Sequence, residues 1–155
     1  MKILLSFLLL FASVALYGQA DFSGIWKLDM SKSKFNNTPG SPAASTLVVQ
    51  QTEETISLQR DKREKETLKI DSSAEFEIND TESNTKVSMK PTADQKGFVE
   101  TRIYSYPADQ SGILAAKKIR TWILSADKKT LTILDHIETT QQGLNYDMEL
   151  IYERQ

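Results

Sequence analysis

The chain has 155 residues, no cysteine, and 19 basic against 21 acidic residues, for a net charge of -2. That balance, with no face gathering Lys and Arg among aromatics, excludes the usual nucleic-acid-binding pattern. The lack of cysteine excludes a disulfide framework and a Cys nucleophile, and with His136 as the single histidine it excludes the common zinc sites.

Met1 to Ala20 is laid out as a signal peptide. Lys2 supplies the positive start, Ile3 to Leu16 is apolar apart from Ser6 and Ser13, and Gly18-Gln19-Ala20 places small residues for cleavage before Asp21. The apolar run is shorter than the roughly 20 residues needed to span a bilayer. No Cys follows to carry a lipid anchor, and no later run is long enough to span, so no membrane span is expected after cleavage. The chain divides into a leader, 1-20, and one domain, 21-155, of about 135 residues, large enough to bury a core unaided. An exported domain without disulfides points to a bacterial periplasm or the extracellular space.

The domain then reads as strand after strand. Phe22, Gly24, Trp26 and Leu28 share one parity with Ser23 and Lys27 on the other, the period-2 mark of a half-buried strand. Ser31 to Ser45 interrupts the pattern with Asn36-Asn37, Pro39-Gly40 and Pro42, and reads as a long loop with Phe35 pinning it. Alternation resumes at Leu47/Val49, Ile56/Leu58, Leu68/Ile70, Phe76/Ile78 and Val87/Met89. Between the second and third of these pairs, the mixed-sign run Arg60 to Glu66 reads as a solvated connection.

Gly97 to Tyr106 is a longer strand with Phe98, Tyr104 and Tyr106 on one parity, ended by Pro107 to Gly112. Ile113 to Lys118 has the makings of one short helical turn. Lys117 to Leu124 and Thr130 to Thr139 form a hairpin across Ala126 to Lys129, and Trp122 belongs to the wall on one side or the other. In the last strand Tyr146, Met148, Leu150, Tyr152 and Arg154 face one way. About ten strands with short turns predict an all-β, up-and-down antiparallel barrel of 8–10 strands, since closure is the usual cure for exposed sheet edges.

Gly24-Ile25-Trp26 resembles the Gly-x-Trp that opens the first strand in the lipocalin and fatty-acid-binding-protein (calycin) superfamily. Tyr152-Glu153-Arg154 is similar to the ending of fatty-acid-binding proteins. The resemblance implies that Arg154 packs over Trp26 at the closed barrel end, with Gly24, Trp26 and Arg154 as closure residues. More closely, Ser23 to Asp29 with Lys32 to Phe35, and Thr121 to Asp127 with Lys129 to Ile133, resemble exported bacterial lipocalin-like proteins. The Thr-Asp-Tyr motif of animal lipocalins and the helical lid of fatty-acid-binding proteins are absent, so neither group's ligand residues transfer.

Little in the chain calls for catalysis. His136 and Asp135 are adjacent and point to opposite strand faces, so Asp135 cannot orient the imidazole as a triad requires. No Gly-rich phosphate loop or nucleotide fingerprint occurs, and no cofactor is expected. Plentiful acids leave a glycosidase-type carboxylate pair open, but no spacing selects one. Asp135 shares parity with Leu131, Ile133 and Ile137. Inside a barrel it would need a partner such as Arg102, Arg120 or a Tyr hydroxyl, and would serve to anchor a ligand headgroup. Otherwise it marks a bulge or an exposed strand end. Tyr104, Tyr106 and Tyr146 are candidates to line the same cavity. The expectation is a small, mostly apolar ligand in the barrel interior. The alternative is a packed barrel whose loops engage a protein.

Overall fold

The computed structural model describes residues 19–36, 43–71, 84–105, 115–140 and 145–155, and residues 76–79 as backbone. The proposed leader up to residue 18, the loop residues 37–42, Tyr106 and the Pro107 to Gly112 segment lie outside the described residues. The described residues contain no helix. They form eleven strands: β1 (Gly24–Leu28), β2 (Lys34–Asn36), β3 (Thr46–Gln51), β4 (Thr55–Arg60), β5 (Glu66–Lys69), β6 (Phe76–Asn79), β7 (Asn84–Pro91), β8 (Gly97–Ser105), β9 (Ala115–Leu124), β10 (Thr130–Thr139) and β11 (Tyr146–Arg154).

All pair antiparallel in one sheet of order β5-β4-β3-β1-β11-β10-β9-β8-β7-β6, with β2 also on β11. First and last strands meet in the middle of this order, in register Trp26↔Arg154. A parallel bridge between Ile70 and Met89, and a hydrogen bond from the Asp71 amide to the Met89 carbonyl at 3.1 Å, span the gap beside β5. The result is a nearly closed, lipocalin-like, up-and-down barrel.

Two expectations change. The segment after β1 is not wholly loop: β2 continues along the same edge of β11, pairing Phe35 with Met148. Asp29 makes the detour between them, its carboxylate accepting from the Ser31 and Lys32 amides. The Ser33 hydroxyl then bridges the break by accepting from the Ile151 amide at 2.9 Å. Second, the helical turn proposed up to Lys118 is strand from Ala115 onward. Neighbours β8 and β10 satisfy its backbone on both sides, a tertiary gain that outweighs local preference.

The period-2 pattern places the core. Phe22, Trp26, Leu47, Val49, Ile56, Leu58, Leu68, Val87, Met89, Phe98, Trp122, Leu131, Ile133, Met148, Leu150 and Tyr152 form one buried cluster.

The closed end is built on Gly24 and Trp26. Gly24 has φ +150, where an L side chain is strained, and a Cβ there would stand 3.2 Å from an Arg154 guanidinium nitrogen. Trp26 is fully buried and donates from its indole N–H to the Phe22 carbonyl at 2.9 Å. Arg154 lies 4.4 Å over the indole centroid and donates to the Ser23 and Lys128 carbonyls. It ties the first strand, the last strand and the β9–β10 turn together. Phe22 adds tilted and edge-on ring contacts to Phe98 and Trp122.

Candidate functional site: a charged cavity in the barrel

Following the inward parity of β8, β9 and β10 away from the closed end, the chemistry changes abruptly. One cross-strand row reads Phe98, Trp122, Ile133, Leu150. The next reads Glu100, Arg120, Asp135, Met148, and the one after it Arg102, Lys118, Ile137, Tyr146. Two residues along each strand therefore separate an apolar layer from a charged one.

Glu100 is the hub. Its side chain is fully buried, and one oxygen accepts from Arg102 Nε at 2.5 Å while the other accepts from the Trp122 indole N–H at 3.2 Å. Arg120 and Arg60 each bring a guanidinium nitrogen to 3.5 Å. Burial alone would push this carboxyl's pKa up. The surrounding Arg120, Arg102 and Arg60 overcome it and hold the group well below the usual carboxylate range.

Glu66, on edge strand β5, takes both terminal nitrogens of Arg102 in a bidentate pair at 2.8 and 2.7 Å, and Arg60 Nη1 at 3.0 Å. Burial works against its ionisation, and Arg102 and Arg60 reverse that, so its pKa is also depressed. Burial likewise disfavours the Arg102 cation, and Glu100 and Glu66 more than restore it.

Asp135 forms the second centre. It is 2% exposed in mid-strand, so it is neither a bulge nor a strand end. Its Oδ2 accepts from Arg120 Nε and pairs with Lys118 Nζ, both at 3.0 Å, while its Oδ1 is buried without a hydrogen-bond partner. Burial, seconded by the Arg120 charge, pulls the Lys118 ammonium down to about 8 against the opposing pull of Asp135.

Asp135, Lys118 and the three arginines border a cavity of about 380 Å³, with Glu66 and Glu100 behind them. Arg60, Arg102, Lys118, Arg120, Asp135 and Tyr104 form its polar wall, and Leu47, Trp122, Ile133 and Leu150 its apolar one. Ala43, Ala44, Asp61 and Arg63 stand at the rim beside Tyr152, whose hydroxyl donates to the Ala44 carbonyl at 3.0 Å. Burial pushes the Tyr152 phenol up to about 12. Part of the Ser31 to Ser45 segment thus lines the cavity.

Among the sequence candidates, Asp135, Arg102, Arg120 and Tyr104 converge here. Tyr146 is half-buried opposite Ile137 and does not line the cavity, and Tyr106 lies outside the described residues. Gly24, Trp26 and Arg154 stand at the closure, and Trp122 is inward and buried. His136 is half-buried on the outer face, its ring nitrogens against Asp147 and Glu138.

Four participants escaped the sequence reading: Arg60, Glu66, Glu100 and Lys118. The run Arg60 to Glu66 is not a wholly solvated connection, because its two ends turn inward and pair while residues 61–65 are exposed. Parity was the available signal. Arg60 continues Ile56 and Leu58, Glu66 precedes Leu68, Glu100 sits between Phe98 and Arg102, and Lys118 precedes Arg120 and Trp122.

No family model matches the chain, and no curated protein matches it significantly.

Proposed function

We propose that this is an exported barrel of the calycin type that binds a small molecule in its interior through an anionic group. The charged row inside the barrel carries this reading. Four cations, Arg60, Arg102, Lys118 and Arg120, face three carboxylates, Glu66, Glu100 and Asp135, leaving an excess of one positive charge. Desolvating such groups costs several kcal/mol per ion, and well-packed apolar residues would stabilise a barrel at least as well. A fold retaining charge there gains something other than stability.

The cavity volume falls within the roughly 300–1,000 Å³ of small-molecule sites. Its apolar wall suits the apolar body of the expected ligand, and the cations suit an acidic end. The same cavity favours this reading over a packed scaffold acting only through its loops. Of the four cations, Arg60 has a buried nitrogen, Nη2, without a hydrogen-bond partner and with Glu100 3.5 Å away.

The test is calorimetric titration of the purified protein with octanoate, octan-1-ol and octylammonium. Octanoate is expected to bind at least about tenfold tighter than the alcohol, as one charge-assisted hydrogen bond implies. Arg60→Gln is expected to remove that preference. Equal binding of acid and alcohol, or no binding of any of the three, overturns the reading.

A further inference from the structure

We infer that Lys118 is a reactive amine that captures a carbonyl-bearing ligand as an imine inside the barrel. The inference rests on the proposed cavity-binding function for the ligand's acidic end, and adds the chemical class of its other end, an aldehyde or ketone.

Three observations place this chemistry at Lys118. It is the one lysine among the described residues that borders the cavity, and its side chain is only 12% exposed. Its neighbour Lys117 points outward and is exposed, and Lys32 and Lys34 are more than half exposed. Next, Asp135 stands 3.0 Å from Nζ through one oxygen and keeps the other without a hydrogen-bond partner, so a proton acceptor is in place beside the amine. Last, cations crowd it: Arg120 two residues along its own strand and Arg102 as its partner on β8. Desolvation beside a second cation is a recognised way to make a lysine amine nucleophilic near neutral pH. The ammonium pKa of about 8 agrees with that placement. The other charged groups acting on it are Glu100 on β8 and Asp135 on β10, and Tyr104 borders the same cavity.

The step balances without an oxidant or reductant. The lone pair of neutral Nζ forms a bond to the carbonyl carbon as the C=O π pair moves to oxygen. A proton leaves nitrogen, and Asp135 relays it to that oxygen to give a carbinolamine. The nitrogen pair then closes the C=N bond as the C–O bond breaks, and the oxygen leaves as water with a second proton, the one Nζ lost on becoming neutral. Ammonium and carbonyl become protonated imine and water. A protonated imine keeps its positive charge beside Asp135, so the ion pair that stabilises this row survives the reaction. The Arg60 and Arg102 guanidiniums, on the same cavity wall, are placed to hold a carboxylate on the captured molecule.

The experiment uses 4-carboxybenzaldehyde as probe, cyanoborohydride to fix any imine, and peptide mapping by mass spectrometry. Lys118 is expected to be labelled at least about tenfold more than any other lysine, with labelling rising as pH passes through about 8. Lys118→Arg is expected to remove the dominant adduct while leaving weak labelling elsewhere. The wild-type map is decisive by itself if that variant folds poorly. Lys118 labelled no more than exposed lysines overturns the inference.

Calorimetry with 4-(hydroxymethyl)benzoate, which has the acid but no carbonyl, separates the two readings. Binding without a dominant Lys118 adduct overturns the imine and leaves the anion site standing. A dominant adduct without such binding supports the imine and overturns the anion reading. Failure of both measurements overturns both.

Discussion

The closed end of the barrel and its charged middle are made by the same strands, with the same inward parity, and solve opposite problems. At the closed end, Phe22, Trp26 and Phe98 fill space, and Arg154 lies over an indole face with backbone carbonyls as partners. A few residues away, Glu100, Arg120 and Asp135 occupy equivalent inward positions and are held by one another. The first region stabilises the fold by burying apolar surface. The second must offset its own desolvation through a dense network, and removing one member strands the others. Burial by itself therefore does not distinguish core from site in this barrel, whereas the chemistry of the buried row does.

The largest expected effect tests that network. Glu100→Gln takes the shared counter-ion from Arg60, Arg102 and Arg120, and is expected to cost about 3–5 kcal/mol in urea unfolding. A loss below about 1 kcal/mol would mean that the row is not held through Glu100.

At the closed end, Arg154→Met removes the stacked cation and its hydrogen bonds. The expected loss is about 1–2 kcal/mol, with anion binding unchanged. Octanoate affinity falling in step with stability would show that the two regions are not separate.

The pH dependence sharpens the contrast. Glu66 has a folded pKa below its ordinary 4.5, so its stabilisation is present above that value and is lost as pH falls through the folded pKa. Glu66→Gln is expected to be less stable than wild type by about 1–2 kcal/mol at neutral pH, allowing for partial solvent screening, with the gap closing in acid. A gap that persists at low pH would assign the effect to packing.

His136 should show the smallest change. The hydrogen bond to Asp147 raises its pKa above 6.5, so its contribution is present below that value and is lost as pH rises through the folded pKa. On an exposed face this amounts to at most about 1 kcal/mol. Comparing His136→Gln with wild type between pH 5 and 8 reads it, and a larger change would give that surface a role it lacks here.

Much of the fold was legible because period-2 alternation is a local property. The face shared by Phe22, Trp26 and Leu28, the hairpin Lys117 to Thr139, and the parity joining Tyr152 to Arg154 all appear in the structure. Gly24 was anticipated as the place where the first strand bends, and its φ of +150 strains any L side chain there. Less legible was β2, because three residues carry no periodic signal and exist as strand only through the edge that β11 offers. Three of the seven groups in the charged row were anticipated: Asp135, Arg120 and Arg102.

Arg60, Glu66, Glu100 and Lys118 were passed over because a charged residue on an inward parity has two outcomes that look alike in a sequence. It breaks the pattern at a strand end, or it meets partners from strands far away in the chain. Glu66 and Arg102 are 36 residues apart and bidentate, and Arg120 meets Asp135 across a hairpin. The sequence by itself determined which residues alternate, and hence most of the strands and their inward faces, while the meeting of first strand with last was what the Gly-x-Trp resemblance implied. Only the tertiary structure decided which inward charges neutralise one another and enclose a cavity. Electrostatic pairing depends on distance in space, and the curvature of the closed sheet sets that distance.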